Sequence, residues 1–258
     1  MPILQTKDLT KRFGAFEANK DIDFSVEPLE LRAVIGPNGA GKTTFFNVIA
    51  GTISASGGRI EFEGRDVTRV RGSRRVHLGL AKAFQTANLY AEQTVFQNCR
   101  LAALAGIQGE FAPQLIARST RLAEVDRVAA DALEQLELAG VAEVRAGDLS
   151  HGDKKRLEIA IALATRPKIL LLDEPVAGMS IEESRKTDVL IRRLAQKITV
   201  LIIEHDMDLI MGLSDSITVL HQGRILAQGT PAEIRANQRV QEAYLGGHAE
   251  TESLGGGR

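Results

Sequence analysis

The chain has 258 residues, 44% of them hydrophobic and 25% charged, with 32 Lys and Arg against 33 Asp and Glu and a formal charge of -1. That length suits one α/β domain carrying an inserted lobe, and that composition excludes a disordered, collagen-like or disulfide-stapled chain. Balanced charge gives no general pull toward nucleic acid or anionic lipid, and a single cysteine, Cys99, can neither close an intrachain disulfide nor build a zinc site.

In chain order, residues 3–9, 22–26, 31–35 and 59–62 read as strands, short runs of β-formers set off by Gly, Pro and charged turns. Residues 31–35 lead into Gly36-Pro37-Asn38-Gly39-Ala40-Gly41-Lys42-Thr43, which matches G-x-x-x-x-G-K-[ST], and a helix-compatible run follows to Ala50. Glycines let the backbone N–H groups of such a loop turn inward at a helix N-terminus, where the dipole favours phosphate. Lys42 is expected to reach the β- and γ-phosphates. The Thr43 hydroxyl is a hard oxygen of the kind Mg²⁺ accepts, and Thr44 adds a hydroxyl at the α-phosphate. The bland alternative is a glycine-rich turn with an exposed lysine.

From residue 96 to about 147 the composition shifts to Ala, Leu, Glu and Arg. Leu115, Leu122, Val125, Ala129, Leu133 and Leu136 recur at helical spacing there, which predicts a helical lobe with this stripe as its packing face. Beyond Leu149, helix and apolar strand alternate: 153–165 then 168–172, 181–196 then 199–203, 206–213 then 216–220. That is the pattern of a parallel sheet with crossover helices. Residues 246–258 are glycine-rich and read as a frayed tail. Every apolar run falls well short of the roughly 18 residues a membrane-spanning helix needs. The first eight residues lack the pattern of a secretory signal, so a cytoplasmic location is expected.

The strand at 168–172 ends on Asp173-Glu174-Pro175, two carboxylates at the carboxyl edge of a parallel strand, where α/β proteins bind ligands. Asp173 is suited to hold Mg²⁺ through water and Glu174 to polarise an attacking water as general base. Alone, Asp-Glu-Pro is often only a strand-ending turn.

An ordered series now stands along the chain: Phe13, the glycine loop, Gln85 in Ala83-Phe84-Gln85, Leu149-Ser150-His151-Gly152-Asp153, Asp173-Glu174, and His205 in Ile203-Glu204-His205-Asp206. It resembles the nucleotide-binding subunits of ABC transporters from Phe13 to Gly246. The resemblance implies an α/β P-loop NTPase fold with a mostly parallel core sheet, an N-terminal antiparallel β portion and an inserted helical lobe. It implies one ATP-binding domain over residues 1–246, with the lobe at about 90–150, and a flexible tail at 247–258.

By the same resemblance, ATP and Mg²⁺ are the cofactors and Phe13 stacks on adenine, although a buried strand phenylalanine is an equal reading of that residue alone. Gln85 touches Mg²⁺ or water and abuts the membrane partner. His205 hydrogen-bonds the γ-phosphate, the alternative being a capping or core imidazole. Ser150 and Gly152 face ATP held by a second subunit, a role compatible with Ser150 as a helix N-cap. The family's usual LSGGQ carries His151 and Asp153 here, and the Asp153 carboxylate is expected to repel phosphate.

The implied protein is a peripheral ATPase on the cytoplasmic face of the inner membrane. It pairs with an identical or related ABC subunit and drives separate permease subunits, which it contacts through the helical lobe and the groove near Gln85. An external solute-binding protein acts indirectly, and no nucleic acid is involved. Ala177-Gly178-Met179, Thr94-Val95-Phe96-Gln97-Asn98 and the segment from Gly229-Thr230-Pro231 to Tyr244-Leu245-Gly246 resemble the branch that imports branched-chain amino acids. Leu149-Ser150-His151-Gly152 and Val219-Leu220-His221-Gln222-Gly223 look nearer to members serving urea or short amides. Two other classes remain as alternatives. A soluble ABC ATPase of DNA repair or translation usually carries two fused cassettes or a long coiled-coil insertion. A nucleotide-binding regulator without turnover needs neither Glu174 nor His205.

Overall fold

The computed structural model describes residues 1–83, 89–108, 118–205 and 207–244. The strands and helices in chain order are β1 (Leu4–Phe13), β2 (Phe16–Val26), β3 (Leu31–Ile35), α1 (Lys42–Ala50), β4 (Gly57–Phe62), β5 (Arg65–Asp66), α2 (Gly72–Leu78), β6 (Leu80–Ala83), α3 (Val95–Gln108) and α4 (Arg118–Gln135). After them come α5 (His151–Ala164), β7 (Ile169–Asp173), α6 (Ile181–Ala195), β8 (Thr199–Ile203), α7 (Met207–Leu213), β9 (Ser216–His221), β10 (Arg224–Gly229) and α8 (Pro231–Ala236). Two compact units form, Met1–Val70 with Leu201–Arg258, and Arg71–Val200.

In the first unit β1 pairs antiparallel with both β2 and β4, and β4 with β5. Period-two alternation buries Ile22, Phe24 and Val26 of β2 and leaves Asp21 and Asp23 outside. The Phe24 ring meets Phe45 of α1 edge-on, with centroids 5.2 Å apart. β3 is apolar almost throughout, as a strand covered on both faces must be. It pairs in parallel with β9, Arg32 opposite Ser216 through Ile35 opposite Val219. β9 turns back as the antiparallel β10, and residues 201–203 of β8 follow β3 on its other side. This is the mixed sheet, parallel at its centre, that the sequence pattern implies.

In the second unit β6 and β7 run parallel, Leu80 opposite Ile169 and Lys82 opposite Leu171. α3, α4 and α5 pack on one another as the helical lobe. Val125, Ala129, Leu133 and Leu136 are buried as the stripe predicts, but Leu122 is 42% exposed, and Leu115 lies outside the described residues. Among the described residues, the buried part of the stripe therefore runs from Val125 to Leu136. Thr94-Val95-Phe96-Gln97 is a capping box at the start of α3: the Gln97 N–H donates to Thr94 Oγ1 at 3.1 Å and the Thr94 N–H to Gln97 Oε1 at 2.9 Å. α5 begins at His151 rather than 153 because Ser150 caps it. The expected tail lies outside the described residues. Among them no helix is long and apolar enough to cross a membrane.

Cys99, on α3, is fully buried, and burial pushes its thiol pKa up to about 12. Because the thiolate is the reactive form, the native chain is expected to react with a thiol reagent at least about tenfold more slowly than the denatured chain. Stopped-flow labelling before and after addition of guanidinium measures this directly, and equal rates would mean that α3 opens readily.

Candidate functional site

The glycine loop of the first unit is shaped by what lies against it. Gly41 has φ 96, and a Cβ there would stand 2.4 Å from the Ala18 carbonyl oxygen and 2.7 Å from Asn19 Nδ2. Asn19 Nδ2 in turn donates to the Gly41 carbonyl at 3.1 Å. Gly36 has φ 152, and a Cβ there would meet the Leu220 carbonyl oxygen at 2.1 Å. Conformation and space both demand glycine at these two positions.

The Gly41 carbonyl accepts from the Phe45 N–H at 2.9 Å, which starts α1. No side chain caps that start among the described residues, and its first turn carries no acidic group, so its amide dipoles suit an anion. Lys42 is buried and donates from Nζ to the carbonyls of Gly36 at 2.6 Å and Pro37 at 3.0 Å, so its ammonium is held over the loop itself. Gly36 and Ala40 are buried, Asn38 and Gly39 form the exposed tip, and Thr43 is exposed with Thr44 half-buried. The loop is braced from behind: the Gly223 N–H, in the β9–β10 turn, donates to the Ala40 carbonyl at 3.1 Å.

Phe13 closes β1 and is 50% exposed, with Lys11 Nζ 4.8 Å from its ring centroid. It is a surface aromatic, not a core residue. His205 follows β8 with its ring largely exposed, Nδ1 lying 3.9 Å from Oε2 of the buried Glu204. That removes the core-imidazole alternative for His205.

In the second unit Asp173 ends β7 with its side chain wholly buried. Its Oδ2 accepts from Lys82 Nζ at 3.0 Å, and its Oδ1 is buried without a hydrogen-bond partner among the described residues. Glu174, half-buried, takes φ 50, a left-handed backbone that costs a non-glycine residue about 1 kcal/mol or more. Such strain at the end of a strand re-aims the carboxylate relative to Asp173, and the turn closes with the Ala177 N–H on the Glu174 carbonyl at 3.2 Å.

Ser150 is the N-cap of α5, its Oγ accepting from the Asp153 N–H at 3.1 Å. A Cβ on Gly152 would lie 2.5 Å from Glu183 Oε1, so a larger residue here would require that side chain to move aside. Both departures from LSGGQ have partners. His151 Nε2 lies 3.2 Å from the Ala177 carbonyl and packs on Gly178, joining the start of α5 to the turn after Glu174. Asp153 is ion-paired with Arg156 one turn along the same helix, so the repulsion expected of its carboxylate is offset locally. Gln85 lies outside the described residues. Lys82 is the site-adjacent group the sequence reading missed; a charge inside the small apolar strand Leu80-Ala81-Lys82-Ala83 was the available signal.

Replacing Ser150 with Ala removes the cap of α5 and is expected to cost about 1 kcal/mol of stability. Urea unfolding of the variant against the natural chain reads this, and an unchanged midpoint would deny the cap its part.

A buried parallel strand, a glycine loop and an uncapped helix start define a P-loop nucleotide-binding protein. The model of the ABC transporter family matches residues 19–177, and a model of branched-chain amino acid ATP-binding cassette transporters matches residues 224–250. The high-affinity branched-chain amino acid transport ATP-binding protein BraF of Pseudomonas aeruginosa is 41% identical over 255 residues, covering 95% of this chain and 98% of its own. Its Escherichia coli counterpart LivG is 40% identical over 250 residues, with the same shares covered. A solved ATP-binding cassette of an ABC transporter, in its ADP conformation, aligns with TM-score 0.83 at 32% identity, over 95% of this chain and 99% of that one. The chain belongs to the ABC transporter family, as the ATP-hydrolysing subunit that energises a transporter.

Proposed function

We propose that this subunit drives import of branched-chain amino acids, working as one of a pair of ABC subunits bound to permeases at the cytoplasmic face of the inner membrane. The observation that carries this reading is that likeness to BraF and LivG covers 95% of the chain and continues past the shared cassette, into the match at residues 224–250.

Residue chemistry supports the roles within that reading. The backbone of Gly36, Pro37, Asn38, Gly39, Ala40 and Gly41, together with Lys42 and Thr44, receives the phosphates, and Phe13 offers its open face to adenine. Thr43, Asp173 and Gln85 supply oxygen donors for Mg²⁺. The metal fits the residues present, because Asp173 keeps a buried carboxylate oxygen with no other partner among the described residues, and Mg²⁺ favours hard oxygen and water. Bound Mg²⁺ neutralises charge developing on the phosphates. Glu174 takes a proton from the attacking water and His205 hydrogen-bonds the γ-phosphate, while Ser150 and Gly152 present a helix N-terminus to the ATP of the paired subunit.

Contact with a permease is supported by an apolar groove of about 370 Å³ within the second unit, lined by Val76, Tyr90, Leu101, Ile161 and Glu158 among others. Tyr90 and Leu101 are exposed at its rim. Burial pushes the Glu158 carboxyl above its ordinary range, opposed by Lys155. A short permease helix with apolar residues would fit this groove.

Affinity purification from membranes, followed by reconstitution with the attached permeases and binding protein, tests the reading. Leucine, isoleucine or valine is expected to stimulate ATP hydrolysis. Stimulation by urea or a short amide instead would reassign the solute, and copurification with ribosomes or DNA would displace the transport role.

A further inference from the structure

Lys82 and Asp173 lie on adjacent parallel strands, and their pairing explains why they meet. Lys82 stands opposite Leu171, so Asp173, two residues beyond Leu171, shares its face of the sheet, within reach of a long side chain. The Lys82 side chain is 8% exposed and that of Asp173 0%. One oxygen of the carboxylate is held by the ammonium at 3.0 Å, and the other is buried without a hydrogen-bond partner among the described residues.

From this geometry we infer that Lys82 is a positioning residue for the reaction: by holding Oδ2 it fixes the Asp173 carboxylate as a buried anion whose Oδ1 is left for the hydrated Mg²⁺ of the nucleotide. The inference rests on the reading of Asp173 as a metal-holding group and adds the group that aims it. Two effects of the ammonium oppose one another. Its charge repels Mg²⁺, whereas its hydrogen bond fixes the carboxylate. The second prevails, because Lys82 makes the one hydrogen bond to this carboxylate among the described residues, and a buried charge stripped of its partner is far costlier than a paired one. Without Lys82 the carboxylate turns toward whatever donor it can find and no longer keeps one oxygen for the metal.

The test is the increment that Mg²⁺ adds to ATP affinity, measured by titration calorimetry on the full chain with Mg²⁺ and again with EDTA. Lys82→Met is expected to weaken binding of Mg-ATP about tenfold while leaving metal-free ATP binding unchanged, and Lys82→Arg, which keeps charge and donor, is expected to restore the increment. A purely structural role would lower both affinities together, and that result, or no loss in either, overturns the inference. Asp173→Asn is the companion variant. If it leaves the Mg²⁺ increment intact, the reading of Asp173 itself fails; if it abolishes the increment while Lys82→Met does not, only the role of Lys82 fails. Should Lys82→Met not fold, as judged by circular dichroism, Lys82→Gln takes its place under the same criterion.

Discussion

A Glu174→Gln variant should bind ATP as the natural chain does and hydrolyse it at least about a hundredfold more slowly, the usual contribution of a positioned general base. The amide matches the carboxylate in shape and cannot accept the proton of the attacking water. Its backbone must adopt the same left-handed φ of 50, which glutamine tolerates no worse than glutamate. The substitution therefore separates chemistry from folding. Single-turnover phosphate release alongside equilibrium ATP binding measures the two, and normal turnover in this variant would remove Glu174 from the reaction.

The second large effect is expected in the glycine loop. Gly36→Ala places a methyl group where the Leu220 carbonyl oxygen stands at 2.1 Å, and a backbone atom of a paired strand cannot step aside as a flexible side chain does. Either β9 separates from β3 or the loop changes shape. Overpacking of this kind costs about 1–3 kcal/mol, to which the altered loop adds a loss of nucleotide binding. Thermal unfolding with and without ATP reads both consequences. The variant should melt lower and gain little from added nucleotide, since only a chain that binds ligand in its native form is stabilised by it. An unchanged melting temperature would show that the loop and β9 can part without penalty.

Strands buried on both faces were legible in the sequence: β3 and β8 occupy residues 31–35 and 199–203, as their largely apolar runs imply. The glycine loop was equally legible, because its motif needs both a strand before it and a helix after it. β6 and β10 were not, for different reasons. β6 is four residues long and interrupted by Lys82, and β10 is partly exposed along its length, so neither shows the alternation that reveals a strand. The Lys82–Asp173 pair depends on the register of two strands, which a linear pattern does not contain. Asp153 is the instructive case. Arg156, three residues on, is a helical neighbour whose charge was there to be read once the helix was known to begin at His151.

The bracing of the glycine loop by the β9–β10 turn carries a consequence for how the molecule is made. Ala40 is held by Gly223, and Lys20 also donates its N–H to the Gly223 carbonyl, so the loop leans on residues synthesised long after it. A nascent chain lacking β9 and β10 has the entire motif but not the wall behind it. Competence to bind nucleotide is therefore expected to be a late event on the ribosome, reached only when the distal hairpin has emerged and folded back, and premature termination before residue 223 is expected to yield a product that cannot sequester ATP.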